Sequence, residues 1–407
     1  MKIGRLHPTV LAVSAEGFLT RLGFGMVGFA LPLYALSLGM GIAEVGLLYG
    51  LRTAVTILVK PVIGGWADRL GLKPVLVAAV ALRCLVGLLL AFATEPWHLI
   101  AVRLLHGVMT AARDPSASAL IAERGEKERM ASAFAWYLTA RDLGRAAGYA
   151  AAGLLIQMTG SYRAVFLIAF FISCAALATV IRYVRSESER GEASERPIGI
   201  GASTEPESII SFAERRSGLF RYAGFGLMVA GSAEMMRGFF PIIAVQYAGL
   251  TEGEAGLAVG VSGFAVLVAG PLFGWLSDRG NRTLALGARS VANVFSSLLY
   301  IFFPTFSGFM IARVVDDTGK AAFRPTWGAL LVELSDADPA RRARTMTWVD
   351  TGYTLGEVLG PMVAGFLMTG FGVPVMLGVR AALSLATEVQ ALRVLRKRDG
   401  EDHAQAG

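Results

Sequence analysis

Two short segments of this chain echo each other 210 positions apart: Gly64 to Lys73 reads GGWADRLGLK, and Gly274 to Thr283 reads GWLSDRGNRT. The register holds elsewhere. Ala43-Glu44-Val45-Gly46-Leu47 matches Gly253-Glu254-Ala255-Gly256-Leu257, Arg103 matches Arg313, and Pro115 matches Pro325 at the same offset. Trp136, Leu143, Gly144, Gly148 and Gly153 recur as Trp348, Leu355, Gly356, Gly360 and Gly365 at an offset of 212, so one connecting loop has gained two residues. Self-similarity at a fixed offset over most of a chain marks a duplicated architecture. The chain folds as two similar halves.

Only 17% of the 407 residues are charged, 54% are hydrophobic and the mean hydropathy is +0.56, which leaves too little polar surface to clothe a soluble protein of this length. The chain therefore reads as an integral membrane protein. About 20 mostly apolar residues cross a bilayer as helix, and such stretches fall near 10–38, 43–66, 74–93, 97–121, 130–157, 162–183, 219–247, 253–276, 283–303, 307–332, 344–369 and 372–394. The expected fold is an all-α membrane protein with 12 transmembrane helices in two pseudo-symmetric six-helix bundles. Its expected divisions are residues 1–183, a cytoplasmic linker 184–218, residues 219–396 and a cytoplasmic tail 397–407. The linker is rich in Ser, Glu, Gly and Pro, lacks hydrophobic periodicity and reads as a flexible tether. Gly144-x-x-x-Gly148 and Gly356-x-x-x-Gly360 let helix backbones approach closely, and packing is the first reading for them.

Lysines and arginines in short loops set orientation. Arg69 and Lys73, then Arg124, Lys127 and Arg129, then Arg279 and Arg282, then Arg341, Arg342 and Arg344 fall in alternate loops; Arg393, Arg396, Lys397 and Arg398 follow at the C-terminus. Arg163 is the exception in the other set. Both termini and the linker are expected in the cytoplasm, with the protein in the cell membrane. The net charge of +7 reflects this bias, and no nucleic-acid module is visible, so no nucleic-acid partner is expected. The first apolar stretch is too long for a signal-peptide core and carries Glu16 and Arg21, so it is expected to stay as a span.

Cys84 and Cys174 fall within expected spans without metal-ligand spacing, and the histidines at 7, 98, 106 and 403 are scattered. There is no HExxH and no phosphate-binding loop of the GxxxxGK[ST] type. No metal, cofactor, ATP-driven step or enzymatic activity is expected. A carrier of this kind draws on an ion gradient or runs downhill.

The segment Gly64-x-x-x-Asp68-Arg69-x-Gly71-x-Lys73 in the loop after the second span resembles the most specific motif of the major facilitator superfamily, and Gly274-x-x-x-Asp278-Arg279 after the eighth span resembles its degenerate copy. Arg103-x-x-x-Gly107 is similar to the family's second motif, a buried arginine facing a helix glycine. Gly144-x-x-x-Gly148 resembles its antiporter motif but lacks the proline after the second glycine, which appears in the other half as Gly360-Pro361. The resemblance covers nearly the whole chain. It implies that Asp68, and by symmetry Asp278, meets the positive end of a helix of the opposite half and holds the cytoplasmic side shut, a contact worth about 0.3–1 kcal/mol when exposed. Arg69, Lys73 and Arg279 serve equally as topology charges, and Gly71 suits a turn with positive φ.

Ionisable side chains within spans are expensive and face a partner or a water-filled cavity. In the tenth span Arg313, Asp317, Lys320 and Arg324 share one helical face; the paired fourth span carries Arg103, Gly107, Thr110 and Asp114 on the same stripe, with Arg113 beside it. The fifth span carries Arg141, Asp142 and Arg145, and the eleventh carries Asp350 and Glu357. Glu16 and Arg21 in the first span and Glu234 and Arg237 in the seventh complete the set. The resemblance implies that the first, fourth, seventh and tenth spans line a central cavity. Arg52, Arg83 and Arg380 lie on spans expected to face it less. Trp136, Tyr137, Trp327 and Trp348 suit stacking on a solute or anchoring at the interface.

These features point to a secondary active transporter working by alternating access. The cavity charges lean basic, so a small anionic or zwitterionic organic solute is expected, with proton coupling through Asp142, Glu234, Asp317 or Glu357. A multidrug/proton antiporter is the alternative, and a transport-inactive receptor or scaffold the reading from another class. A monomer in the lipid bilayer is expected.

Overall fold

The computed structural model describes residues 8–124, 130–184, 209–278, 282–336 and 342–405, with the side chains of 68, 123–124, 130–132, 209–222, 268–278, 282–288, 322–336, 342–349 and 390–405 outside the described set. Twelve helices of twenty residues or more follow one another among the described residues: α1 (Pro8–Ser37), α2 (Ile42–Leu70), α3 (Leu72–Ala91), α4 (Pro96–Arg124), α5 (Met130–Thr159), α6 (Tyr162–Tyr183), α7 (Ile209–Arg237), α8 (Glu252–Asp278), α9 (Arg282–Phe302), α10 (Phe306–Asp336), α11 (Arg342–Phe371) and α12 (Val373–Gln405). At about 1.5 Å per residue each is about 30 Å long or more, the thickness of a bilayer core. Helix satisfies every backbone group within one segment, which lipid demands. By length and apolarity α1, α2, α3, α6 and α11 suffice to cross a membrane, and a bent α7 assembly makes a sixth. Each of α4, α5 and α10 carries ionisable residues near mid-length, and packing turns these inward.

The seventh span, expected near 219–247, is broken. After Arg237 the chain turns through Gly238 and Phe239, continues as Phe240–Ile242 and a π-turn Ile243–Tyr247, and bends by 44°. The Tyr49 ring lies 3.0 Å from where a Cβ on Gly238 would sit, so the break admits a tyrosine of the other half. Two boundaries also differ from expectation: α7 begins at Ile209, inside the segment read as linker, and α12 runs to Gln405, through most of the segment read as tail.

The two halves pack alike. In the first, α1 lies on α5 and α6, α3 on α4 and α6, and α2 on α4; in the second, α7 lies on α11 and α12, α9 on α10 and α12, and α8 on α10. Glycines set the seams. A Cβ on Gly148 would collide with the Leu22 carbonyl and one on Gly144 with the Phe18 carbonyl, whereas Gly356 and Gly360 abut Leu227 and Gly231. The small-residue patterns are thus the α1–α5 and α7–α11 contacts.

Between halves the contacts are α5 on α8 and α2 on α11. Gly153 meets Gly256 in the first and Gly46 meets Gly365 in the second; Gly46 and Gly256 are repeat equivalents, as are Gly153 and Gly365. A Cβ on Gly153 would run into the Glu252 carbonyl, and one on Gly46 into that of Pro361. Both crossings lie toward the end of the bundle that carries the 38–41 and 248–251 connections. A single apolar cluster joins both halves there, including Phe29, Val45, Phe240, Ala255, Tyr300 and Leu377. Toward the other end, which carries Gly71, nearly all of α2 from residue 57 onward is exposed, Leu58 at 76% and Leu70 at 63%. The molecule is closed at one end and open at the other.

Adding a side chain at the cross-half contact should pry the closed end apart, because overpacking there costs about 1–3 kcal/mol. In a Cys84→Ala/Cys174→Ala background, Gly153→Val should let an impermeant thiol reagent reach a cysteine at Thr53 from the closed side several-fold faster. Gly148→Val, within one half, should lower the thermal midpoint instead.

Candidate functional site

Between the halves lies a cavity of about 490 Å³. The first half contributes Arg21, Arg103, Arg113, Asp114, Arg141, Asp142 and Arg145 to its wall, and the second half Glu234, Arg237, Arg313, Asp317, Lys320 and Glu357. Thirteen of the fifteen expected cavity charges therefore come together. Glu16 does not line the cavity but lies behind Arg113, and the Arg324 side chain is outside the described residues. Trp136 is 59% exposed and away from the cavity, Tyr137 is buried, and the side chains of Trp327 and Trp348 are outside the described residues.

In the first half the wall is tied to the core by Arg113. Its Nε donates to Glu16 Oε1 at 3.1 Å and its Nη2 to Glu16 Oε2 at 2.5 Å; its Nη1 donates to Asp114 Oδ1 at 2.8 Å and to the Tyr137 hydroxyl at 3.1 Å. Thr20 Oγ1 donates to Glu16 Oε1 at 2.7 Å, so a carboxylate with no exposed surface is fully satisfied. Asp114 also accepts from Arg21 at 2.9 Å and Arg141 at 3.3 Å, placing one carboxylate among three guanidiniums. This network pins α1, α4 and α5 together. Asp142 and Arg145 pair at 3.2 Å beside it.

The second half has its own network, centred on a residue the sequence reading missed. Asp316 lies fully buried between Arg380 Nη2 at 2.5 Å and Lys320 Nζ at 2.6 Å. Arg380 also donates to Asn293 Oδ1 at 2.9 Å, to the Ser297 hydroxyl at 2.9 Å and to the Ser232 carbonyl at 3.0 Å, which ties α12 to α7, α9 and α10. Asp317 pairs with Arg313 at 3.0 Å and Lys320 at 3.1 Å and accepts from Ser262 at 2.8 Å. Lys320 thus bridges two carboxylates. Glu234 pairs with Arg237 at 2.5 Å.

Not every charge is matched. Arg52 and Arg83, expected to face the cavity less, line it with His106, and among the described residues Arg52, Arg83 and Arg103 have no carboxylate within salt-bridge distance. They rest on aromatic faces: Arg52 and Arg83 lie 5.9 and 5.2 Å from the Phe24 ring centre, and Arg103 lies 4.4 Å from that of Tyr49. Glu357 likewise has no ion-pair partner among the described residues, though Arg52 and Arg237 lie within its electrostatic reach. For His106 and Arg83 the signal lies in the repeat, since they occupy the positions equivalent to Asp316 and Asn293.

The loop motif sits at the open end. Gly71 adopts φ +86°, the positive angle expected, and its N–H donates to the Ala67 carbonyl, closing α2 before α3 begins. Among the described residues nothing lies within 4 Å of where a Cβ on Gly64 would be, so this position faces open space. The side chains of Asp68 and Asp278 and the whole of Arg279 are outside the described residues; Arg69 and Lys73 flank the turn, and Gly274 lies in α8.

Removing one partner of the buried Glu16–Arg113 pair should cost about 3–5 kcal/mol, because a lone charge is left inside. Arg113→Met should lower the thermal midpoint of the purified protein markedly, and Glu16→Gln with Arg113→Met should recover most of it.

Comparison with known proteins places this architecture. The family model described as Major Facilitator Superfamily matches residues 17–236 and again 222–407, one match per half. The multi-drug resistance efflux pump PmrA of Streptococcus pneumoniae is 27% identical over 369 residues, which cover 87% of this chain and 88% of that protein. The multidrug resistance protein MdtG of Citrobacter koseri is 25% identical over 396 residues, covering 94% and 93%. Among solved structures, the nucleoside transporter NupG superposes with a TM-score of 0.73 at 14% identity, over 95% of this chain and 99% of that one. With a duplicated helical bundle, a charged cavity between its halves and a family match to each half, this chain belongs to the Major Facilitator Superfamily and is a multi-pass membrane transport protein.

Proposed function

We propose that the protein is a secondary active transporter that carries a small anionic or zwitterionic organic solute through the central cavity by alternating access, coupled to protons. The observation that carries this reading is the charge of the cavity wall: ten basic side chains line it against five acidic ones. Desolvated cations in such excess favour an anionic occupant. The two halves rock about this site, and the closed and open ends described above are the two gates. On this reading Asp68 and Asp278 latch the now open end when it shuts, that end faces the cytoplasm with both termini, and the working unit is a monomer in the cell membrane.

Among the four carboxylates considered for the proton, Asp142, Glu234 and Asp317 are ion-paired, so protonating any of them breaks a salt bridge. Glu357 has no ion pair among the described residues, so protonating it breaks none there. It faces Glu234 and Arg237 on its own half and Arg52 across the cavity, so its charge is felt on both walls. We assign it the proton. Export of drugs is the second reading, favoured by relatives named as multidrug pumps.

Proteoliposomes carrying a pH gradient test both. Uptake of an organic anion should depend on pH in the wild type; Glu357→Gln should flatten that dependence and lower gradient-driven accumulation roughly tenfold, while leaving exchange of solute for solute largely intact. Pumping confined to lipophilic cations would favour drug export and reject the anion reading.

A further inference from the structure

The geometry points to an oxyanion subsite on the first-half wall of the cavity, built by Arg52, Arg83 and Arg103 around His106, which takes the phosphate group of a small organic phosphate; this rests on the anion-transport reading above.

His106 is 2% exposed, lines the cavity, and among the described residues neither of its ring nitrogens has a hydrogen-bond partner. The ring stands edge-on to Phe24, centres 5.0 Å apart at 77°. Arg103 is 3% exposed, and its Nε and Nη2 are likewise without an acceptor; so is the Nε of Arg83, which is 4% exposed. Buried donors are seldom left unmade without a reason, since each costs about 1–3 kcal/mol. Unmet polar atoms on His106, Arg83 and Arg103 in one cavity wall, with Arg52 beside them, make the arrangement of a site awaiting a ligand.

The repeat shows what is missing. In the second half the positions equivalent to Arg103, His106 and Gly107 are Arg313, Asp316 and Asp317, and the two carboxylates there neutralise Arg313, Lys320 and Arg380. The first half keeps the arginine, replaces both carboxylates with His106 and Gly107, and adds Arg83 where the second half has Asn293. The nearby acid on this wall, Asp114, is already shared by Arg21, Arg113 and Arg141. Across the cavity Arg52 is within electrostatic reach of Glu234 and Glu357, but not within salt-bridge distance of either among the described residues. The first half therefore holds a basic pocket whose internal counter-ions have been removed.

The donors select among anions. A planar carboxylate is satisfied by one bidentate arginine, whereas this wall carries guanidiniums from three helices, α2, α3 and α4, which suits the several oxygens and double charge of a phosphate monoester. Phe24 and Tyr49, together with Met109 and Val27, give the organic part apolar surface in the same cavity.

Thermal unfolding of the purified full-length protein, with phenyl phosphate as probe and ionic strength held constant, tests this. Phenyl phosphate should raise the wild-type midpoint saturably, and benzoate should need at least about tenfold more for the same shift. His106→Asp restores an internal carboxylate as in the second half, so it should raise the midpoint without ligand and abolish the phenyl phosphate shift. Arg83→Asn, which copies the other half, should also lose that shift, and it carries the test if His106→Asp does not fold. No wild-type shift at about 10 mM phenyl phosphate, or an unchanged shift in both variants, would overturn the subsite. Benzoate acting as well as phenyl phosphate would overturn the phosphate assignment while leaving anion transport standing. Stabilisation by dodecyl phosphate alone would make the ligand a lipid headgroup and overturn the small-solute form. A response to tetraphenylphosphonium alone would overturn both this subsite and the anion reading.

Discussion

A guanidinium at the middle of a bilayer survives only where it meets a carboxylate, an aromatic face or water, and that constraint organises the interior of this molecule. Arg113 meets it through Glu16 and Asp114, Arg380 through Asp316 and Asn293, and each arrangement ties helices together far from where the chain connects them. These pairs are buried deeply enough that their loss would be felt as unfolding rather than as weaker binding. Arg52, Arg83 and Arg103 meet the same constraint differently, by lying on the rings of Phe24 and Tyr49 beside the cavity. The same residue type therefore sits in two settings, one ion-paired in the core and one on aromatic faces beside the cavity, and the presence or absence of a carboxylate separates them.

The backbone follows a second constraint. Lipid offers no hydrophobic drive between helices, so close approach has to come from glycine. Within each half, glycines lock α1 on α5 and α7 on α11; between halves, Gly46 with Gly365 and Gly153 with Gly256 form two contacts related by the duplication. The same chemistry thus serves contacts within each bundle and the seam between bundles. The difference is how much else accompanies each contact: within a half the helices continue to pack along their length, whereas α2 leaves its partner beyond residue 57 and stands exposed toward the open end.

Much of this was legible in the residues. The 210-residue echo and the alternation of apolar stretches fixed the two-half architecture, and ionisable residues inside spans located most of the cavity wall, because an isolated charge in such a segment has few other places to go. The break after Arg237 was not legible, since Gly238 and Pro241 are common in spans and only the Tyr49 ring packed against Gly238 shows why the helix yields there. Arg52 and Arg83 reach the cavity although they lie on α2 and α3, because which face of a span meets the cavity is set by packing between helices, which spacing along the chain does not show. Asp316 escaped because it lies beside the Arg313–Asp317–Lys320 stripe, and its partner Arg380 comes from a helix 64 residues further along. Charge alone could not tell Glu16, sealed behind Arg113, from its cavity-lining neighbours.

In the proposed alternating access, two halves exchange one closed end for the other around the charged cavity. Paired spin-label distances in liposomes test it most directly, with one pair at Ser37 and Thr251 near the closed end and another at Leu70 and Asp350 near the open end. Alternating access requires two populations at each pair whose weights move in opposite senses as pH or transported solute is varied, the first distance lengthening as the second shortens. A single, unchanging distance at both pairs, or lengthening at both ends together, would contradict it.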